Sequence, residues 1–165
     1  MDTATITERQ TSSVITSAEL LEHWQGHRRL TRKLIEAFPE KEFFEYSIGG
    51  MRPFAGMVQE LLGIAVPALT QIVGGDAKQL DENIAGANSK ENVLALWDKA
   101  TEEINDYWSR IGDERFHEQI LLFGQYPGTV LSSILYFVDN EIHHRGQAYV
   151  YLRSLGIEPH PFWDR

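Results

Sequence analysis

The sequence contains no cysteine among its 165 residues. This absence excludes disulfide bonds, zinc sites with thiolate ligands and cysteine nucleophiles. It is typical of proteins from reducing compartments, where disulfide bonds do not persist. We therefore expect a cytoplasmic protein.

Positive charge is scarce. The chain has 15 Lys and Arg residues against 24 Asp and Glu residues, which makes the formal net charge −9. An acidic surface repels phosphate backbones and anionic lipid surfaces. We therefore expect neither a nucleic-acid partner nor a membrane partner.

Long apolar runs are also missing. The first residues, 1–15, lack the basic start and the apolar block of a secretory signal. The nearest candidate for a membrane span, around Ile120, is interrupted by Gly124, Pro127 and Gly128. Since a spanning helix needs about 20 apolar residues, the sequence predicts no membrane-spanning helix.

The chain contains four stretches with apolar residues at three- and four-residue spacing, which is typical of amphipathic helices. Capping residues begin three of these stretches, and Pro53 suits the first turn of the second. The predicted helices span about residues 16–38, 53–73, 88–111 and 129–155. They predict a flexible lead-in, 1–15, followed by one all-α domain, 16–165, folded as a four-helix bundle.

The fourth predicted helix has apolar residues on two sides. One stripe includes Leu135 and Ile142, and the other includes Phe137 and Tyr151. A helix that is apolar on two sides is buried on two sides. One side is expected to face the bundle and the other a second copy of the chain, so the pattern predicts a homodimer.

The segment Asp139–Gln147 in the same helix concentrates histidines, carboxylates and amides between apolar residues. Asn140 and His144 lie one turn apart on one face, whereas His143 points elsewhere. Buried polar groups need partners, so the segment is either a metal or ligand site or a structural hydrogen-bond network. Glu141 and Arg145, at i and i+4, most simply form a salt pair.

This segment and the chain that follows it, Asn140–Pro159, resemble the C-terminal signature of the DinB-like (DinB/YfiT) superfamily. A weaker match is the segment Met51–Val58, which resembles the opening of that family's second helix. The resemblance implies a four-helix bundle, often dimeric, in which three histidines hold a divalent metal. Family members include metal-dependent S-transferases that use low-molecular-weight thiols and a mycothiol-dependent isomerase.

The chain departs from the family's three histidines at two positions. The resemblance places the helix-two ligand at Glu60 and the last-helix pair at Asn140 and His144, so the predicted metal site is Glu60, Asn140 and His144. This donor set is harder than three imidazoles. The candidate metals are zinc, nickel, manganese and iron. No catalytic residue is assigned, although Glu60 is a candidate base.

Two functions follow from this pattern. The first is a metal-dependent enzyme, a thiol transferase using a low-molecular-weight thiol or a hydrolase-like enzyme, acting on a small molecule. The second is a non-enzymatic dimeric binding or stress-response module whose metal site is degenerate and whose Glu60 and His144 form a polar pair. A further metal-ligand pair with suitable spacing, His23 and His27, stays open as an addition to the site.

Overall fold

The computed structural model describes residues 14–165. The lead-in predicted for residues 1–15 therefore falls almost entirely outside the described residues. The elements of the described chain are α1 (Ser17–Ala37), α2 (Glu40–Glu45), α3 (Phe54–Ile72), α4 (Lys90–Trp108), a 3₁₀ helix (Asp113–His117), β1 (Gln119–Leu122), β2 (Tyr126–Thr129) and α5 (Val130–Ser154).

The four long helices form a bundle, which confirms the predicted fold class. α1 packs against α4 and α5, and α3 packs against the same two helices. The buried side chains form a continuous apolar interior that includes Trp24, Leu34, Met57, Ile64, Trp97, Ile104, Phe137 and Tyr151. Because α5 lies between α1 and α3, its two buried sides face different neighbours.

Side-chain caps begin three of the four long helices, α1, α4 and α5. Thr16 forms the predicted capping box with Glu19 at the start of α1. Thr129 caps α5 by accepting a hydrogen bond from the backbone N–H of Ser132 at 3.0 Å. The cap of α4 is Ser89 and not the predicted Asn88, since Ser89 adopts the extended conformation of a cap residue and accepts from the backbone of Asn92.

Two short elements differ from the sequence-based expectation. Residues 39–52, expected to be a connection, contain α2, and residues 119–129 form an antiparallel hairpin, although the sequence predicts no strand. Phe123 and Gly124 turn the hairpin with positive φ angles of 53° and 71°. Each strand has only four residues, so its alternation is too brief to recognise in the sequence.

α3 is the one described helix that is long and apolar enough to cross a membrane by length and composition. In its most apolar 18-residue window, 61% is buried inside the structure. Its two neighbours, α4 and α5, account for this burial, so the apolar composition is that of a core helix. The stretch around Ile120 belongs to the hairpin.

The connection between α3 and α4 crosses α3 at Gly63. A Cβ atom on Gly63 would overlap the backbone carbonyl oxygen of Asp81 and come within 3.5 Å of the Cα atom of Glu82. A glycine is therefore required for this close approach of two backbones. The approach holds Glu82 near α3, where its side chain contributes to the site described below.

Replacing Gly63 by alanine will lower the free energy of unfolding by about 1–3 kcal/mol, because the added methyl group forces the crossing connection away from α3. Gly56→Ala in the same helix is the matched control. A Cβ atom on Gly56 meets only the Arg52 side chain, at 3.9 and 4.0 Å, so this variant should be stabilised by about 0.5–1 kcal/mol. Urea denaturation measures both effects, and a Gly63→Ala variant as stable as the wild type would contradict the required approach.

Candidate functional site

The structure brings the three predicted site residues together. Glu60 projects from α3, and Asn140 and His144 project from α5, one turn apart. The Asn140 amide nitrogen donates to Glu60 Oε1 at 3.0 Å, and His144 Nε2 lies 3.2 Å from the same oxygen. This meeting depends on the packing of α3 against α5.

His144 is poorly partnered in the described structure. Its side chain is 8% exposed, Nδ1 has no hydrogen-bond partner, and Nε2 has only the close approach to Glu60 Oε1 at 3.2 Å. A buried polar atom without a partner costs about 1–3 kcal/mol. The two ring nitrogens are thus the least satisfied polar atoms of the site.

Arg52, which precedes α3, completes the arrangement. Its guanidinium donates to Glu60 Oε2 and, at 2.9 Å, to Glu82 Oε2. The backbone carbonyl of Arg52 accepts a hydrogen bond from the hydroxyl of Tyr151 at 3.0 Å, which ties the arginine to α5. One cation therefore bridges two carboxylates.

These contacts determine the charge states. Burial acts to raise the pKa of Glu60, but the hydrogen bonds from Arg52 and Asn140 outweigh it and hold that pKa below its usual value. Burial lowers the pKa of His144 by more than the neighbouring Glu60 raises it. At neutral pH, Glu60 is therefore ionised and His144 is neutral.

A cavity of about 370 Å³ opens beside Glu60. We call it the Glu60 cavity. It is formed by α3, the connection that crosses Gly63, the hairpin and the first turns of α5. Its lining residues are Glu60, Ile64, Leu80, Glu82, Leu122, Phe123, Tyr126, Pro127, Ser132, Ser133, Tyr136 and Phe137. Asn140 and His144 lie behind Glu60 and do not line it.

In this arrangement Glu60, Asn140 and His144 contact one another and do not converge as metal ligands. Among residues 14–165, no group of three His, Cys, Asp or Glu side chains converges as metal ligands. Asn140 presents its NH₂ group to Glu60, and the cationic Arg52 already engages the carboxylate. Of the three predicted ligands, only His144 presents a ring nitrogen that is free to bind a metal. Metal binding by Glu60, Asn140 and His144 stays a prediction.

The second candidate pair, His23 and His27, does not contact Glu60, Asn140 or His144 within the described residues. His27 Nδ1 lies 2.8 Å from Arg145 Nη2, and His27 Nε2 lies 3.2 Å from His23 Nε2. Since the arginine is a donor, His27 Nδ1 accepts, and the ring is neutral. Burial and, next, the charge of Arg145 lower the pKa of His27 to about 3. His27 thus serves the interface between α1 and α5.

The expected salt pair between Glu141 and Arg145 does not form within residues 14–165. Both side chains are buried, and the ion-pair partner of Glu141 is Arg28. Glu141 accepts hydrogen bonds from the hydroxyl of Thr31 at 2.6 Å and from the indole of Trp24 at 3.3 Å, and it lies 3.9 Å from the guanidinium of Arg28. This network joins α1 to α5. It is the structural explanation for part of the segment Asp139–Gln147.

A sequence model of the DinB family matches residues 8–163, almost the whole chain. The chain belongs to the DinB family. The resemblance carried by the segment Asn140–Gln147 is therefore confirmed. A relative of this DinB-family protein, the uncharacterised protein YjoA of Bacillus subtilis, is 23% identical over 164 residues, covering 90% of this chain and 97% of YjoA.

Solved structures share the fold of this DinB-family protein. A DinB-like protein from Bacillus cereus has a TM-score of 0.70 at 15% identity, covering 87% of this chain and 95% of its own. YjoA has a TM-score of 0.69 at 21% identity, covering 88% of this chain and 98% of YjoA. YfiT of Bacillus subtilis has a TM-score of 0.67 at 14% identity, covering 93% of this chain and 97% of YfiT. YfiT is described as a probable metal-dependent hydrolase with an unusual four-helix bundle topology.

Several residues of the site are not apparent from the sequence of this DinB-family protein. Arg52 lies in the segment that resembles the family's second-helix opening, but nothing in its spacing pairs it with Glu60. Glu82 lies in a polar connection, and Tyr136 is separated from Glu60 by 76 positions. Only the packing of the bundle places these residues beside Glu60.

His27 makes the folded protein sensitive to mild acid. The unfolded chain binds a proton at this residue near pH 6.5, whereas the folded chain does so only near pH 3. Stability should therefore fall as the pH drops below about 6.5, by at most about 1.4 kcal/mol per pH unit for this group. His27→Gln should show a smaller loss between pH 7 and pH 5 in urea denaturation.

His143→Gln provides the control, because it makes the same substitution at an exposed histidine. If the free energy of unfolding fell equally between pH 7 and pH 5 in the wild type and in His27→Gln, the assigned role of His27 would be excluded.

Proposed function

We propose that this DinB-family protein binds a small organic molecule in the Glu60 cavity. The observation that carries the proposal is an ionised carboxylate, held in place by Arg52 and Asn140, at the wall of a cavity of about 370 Å³. Small-molecule sites are concave and mostly apolar and contain a few fixed polar groups. Their volumes are about 300–1,000 Å³.

The fixed orientation of Glu60 supports this proposal. Its carboxylate is held from two sides, by a guanidinium and by an amide, so little reorganisation accompanies the binding of a ligand. Apolar side chains supply the rest of the contact surface, including Ile64, Leu122 and Phe137. The carboxylate therefore sets the orientation of the ligand, and the apolar wall contributes most of its buried area.

A second candidate is a metal-dependent enzyme, a hydrolase or a transferase that uses a low-molecular-weight thiol. The poorly partnered ring nitrogens of His144 favour this candidate, as does the structural similarity to YfiT. The guanidinium of Arg52 at Glu60 opposes it, since two cations would compete for one carboxylate. In the binding proposal Arg52 holds Glu60 in place, whereas in the metal-dependent enzyme it would compete with the metal for Glu60.

A thermal-shift experiment on untagged protein separates the candidates. The ligands are manganese, iron, nickel and zinc ions and a panel of fragment-sized aromatic compounds of positive, negative and zero charge. We expect some organic compounds to raise the Tm of the wild type and the metals to have no effect on it. Arg52→Gln, which frees Glu60, should gain a metal-dependent rise in Tm.

Cavity-filling variants control this experiment. Ser133→Phe places a ring in the Glu60 cavity and should abolish the organic-ligand shift. Ser109→Phe is matched, because Ser109 also bonds a helix carbonyl but lies outside the cavity. A wild-type response to metals that disappears in His144→Ala would favour the metal-dependent enzyme. No response to any organic compound would refute the binding proposal.

We also propose that α5 pairs with a second copy of the chain. Leu135, Ile142 and Val150 are 44%, 39% and 56% exposed on this helix, although its other side is buried in the bundle. Leu135 and Ile142, seven residues apart, share one face. A helix face of this composition is typical of an interface.

Sedimentation equilibrium at micromolar concentration should show a dimer for the wild type and a monomer for the Leu135→Glu, Ile142→Glu double variant. Exposed side chains tolerate such changes, so the variant should keep its helical circular dichroism spectrum. A monomeric wild type would refute the proposed dimer.

A further inference from the structure

We infer that the Glu60 cavity selects an organic cation, a protonated amine or a quaternary ammonium group carried on an apolar body. The inference rests on the proposed function, since it names the chemical class of the ligand bound there. It is carried by the charges and the aromatic rings that line the cavity.

The charged lining residues are both acidic. Glu60 and Glu82 line the cavity, and none of its twelve lining residues is Lys, Arg or His. The nearest cation, Arg52, donates to both carboxylates, so one positive charge is shared between two negative charges. The group of three side chains keeps a net charge of −1.

The other groups close to Glu60 do not cancel this charge. Asn140 is a neutral donor to Glu60 Oε1. His144 lies behind Glu60 and does not line the cavity. A cationic ligand would therefore complete the charge balance of the cavity, whereas an anionic ligand would add to the excess of negative charge.

The carboxylates act across the cavity as well. Burial is the largest cause of the raised pKa of Tyr136, and the charges of Glu60 and Glu82 raise it further. The hydroxyl of Tyr136 thus experiences the field of both carboxylates. This field disfavours an anion in the space between them, including a thiolate.

Four aromatic side chains line the same cavity: Phe123, Tyr126, Tyr136 and Phe137. Phe123 and Tyr126 pack edge to face with ring centroids 6.4 Å apart, and Tyr136 and Phe137 do so at 6.5 Å. Aromatic faces attract ammonium groups within about 6 Å of the ring centroid. Carboxylates combined with aromatic walls recognise a cation with an apolar body better than a neutral ligand.

Isothermal titration calorimetry with three compounds of similar shape tests this inference. They are 2-phenylethylammonium, 2-phenylethanol and phenylacetate, which are cationic, neutral and anionic. We expect the cation to bind at least tenfold more tightly than the alcohol and phenylacetate to bind most weakly. The preference for the cation should decrease as salt is added, because ions screen the carboxylates.

Glu82→Gln is the informative variant, because Glu82 lies in the connection outside the bundle core. Its affinity for 2-phenylethylammonium should fall at least threefold, while its affinity for 2-phenylethanol should not change. Glu102→Gln is the matched control, since it removes the same charge from an exposed position on α4. This control should bind all three compounds as the wild type does.

The outcomes separate the two proposals. Equal binding of the three compounds, or tightest binding of phenylacetate, would overturn the selection of a cation and leave the small-molecule site intact. A cation preference that is unchanged in Glu82→Gln would also overturn it. Absence of binding by all three compounds would count against the cation site, and only a thermal-shift panel without any organic ligand would remove the proposed function itself.

Discussion

Three of the four polar residues buried along α5 form hydrogen bonds with neighbouring helices, and this constraint organises the molecule. Toward α1, Glu141 accepts hydrogen bonds from Thr31 and Trp24. Toward α3, Asn140 donates to Glu60. The alternating faces of one helix thus carry a structural network on one side and the candidate site on the other. The network fixes the helix that positions the site.

The site differs from a three-histidine centre in the source of its positive charge. In such a centre the ligands are neutral and the metal supplies the charge. Here Glu60 is an anion, and Arg52 supplies a cation from within the chain. The hydrogen bonds hold the carboxylate ionised in spite of its burial. An ionised group at the wall of a cavity favours recognition of a ligand by charge.

The elements outside the four long helices shape the cavity. The connection that crosses Gly63 places Glu82 near Arg52, and the hairpin supplies Phe123 and Tyr126. Because loops and short strands tolerate sequence change better than the bundle core, the walls of the cavity can vary while the bundle stays the same.

The sequence by itself determined the bundle, most helix ends and the meeting of positions 60, 140 and 144, because helical periodicity and caps are local and the family signature relates distant positions. It did not reveal that Glu141 is buried, that Arg52 holds Glu60 or that a hairpin walls the cavity. Glu141 is buried by contacts with residues more than 100 positions away. Arg52 is only eight positions from Glu60, but it precedes the helix, so helical spacing does not relate the two residues. Only the packing of α5 between α1 and α3 decided which polar group faces which neighbour.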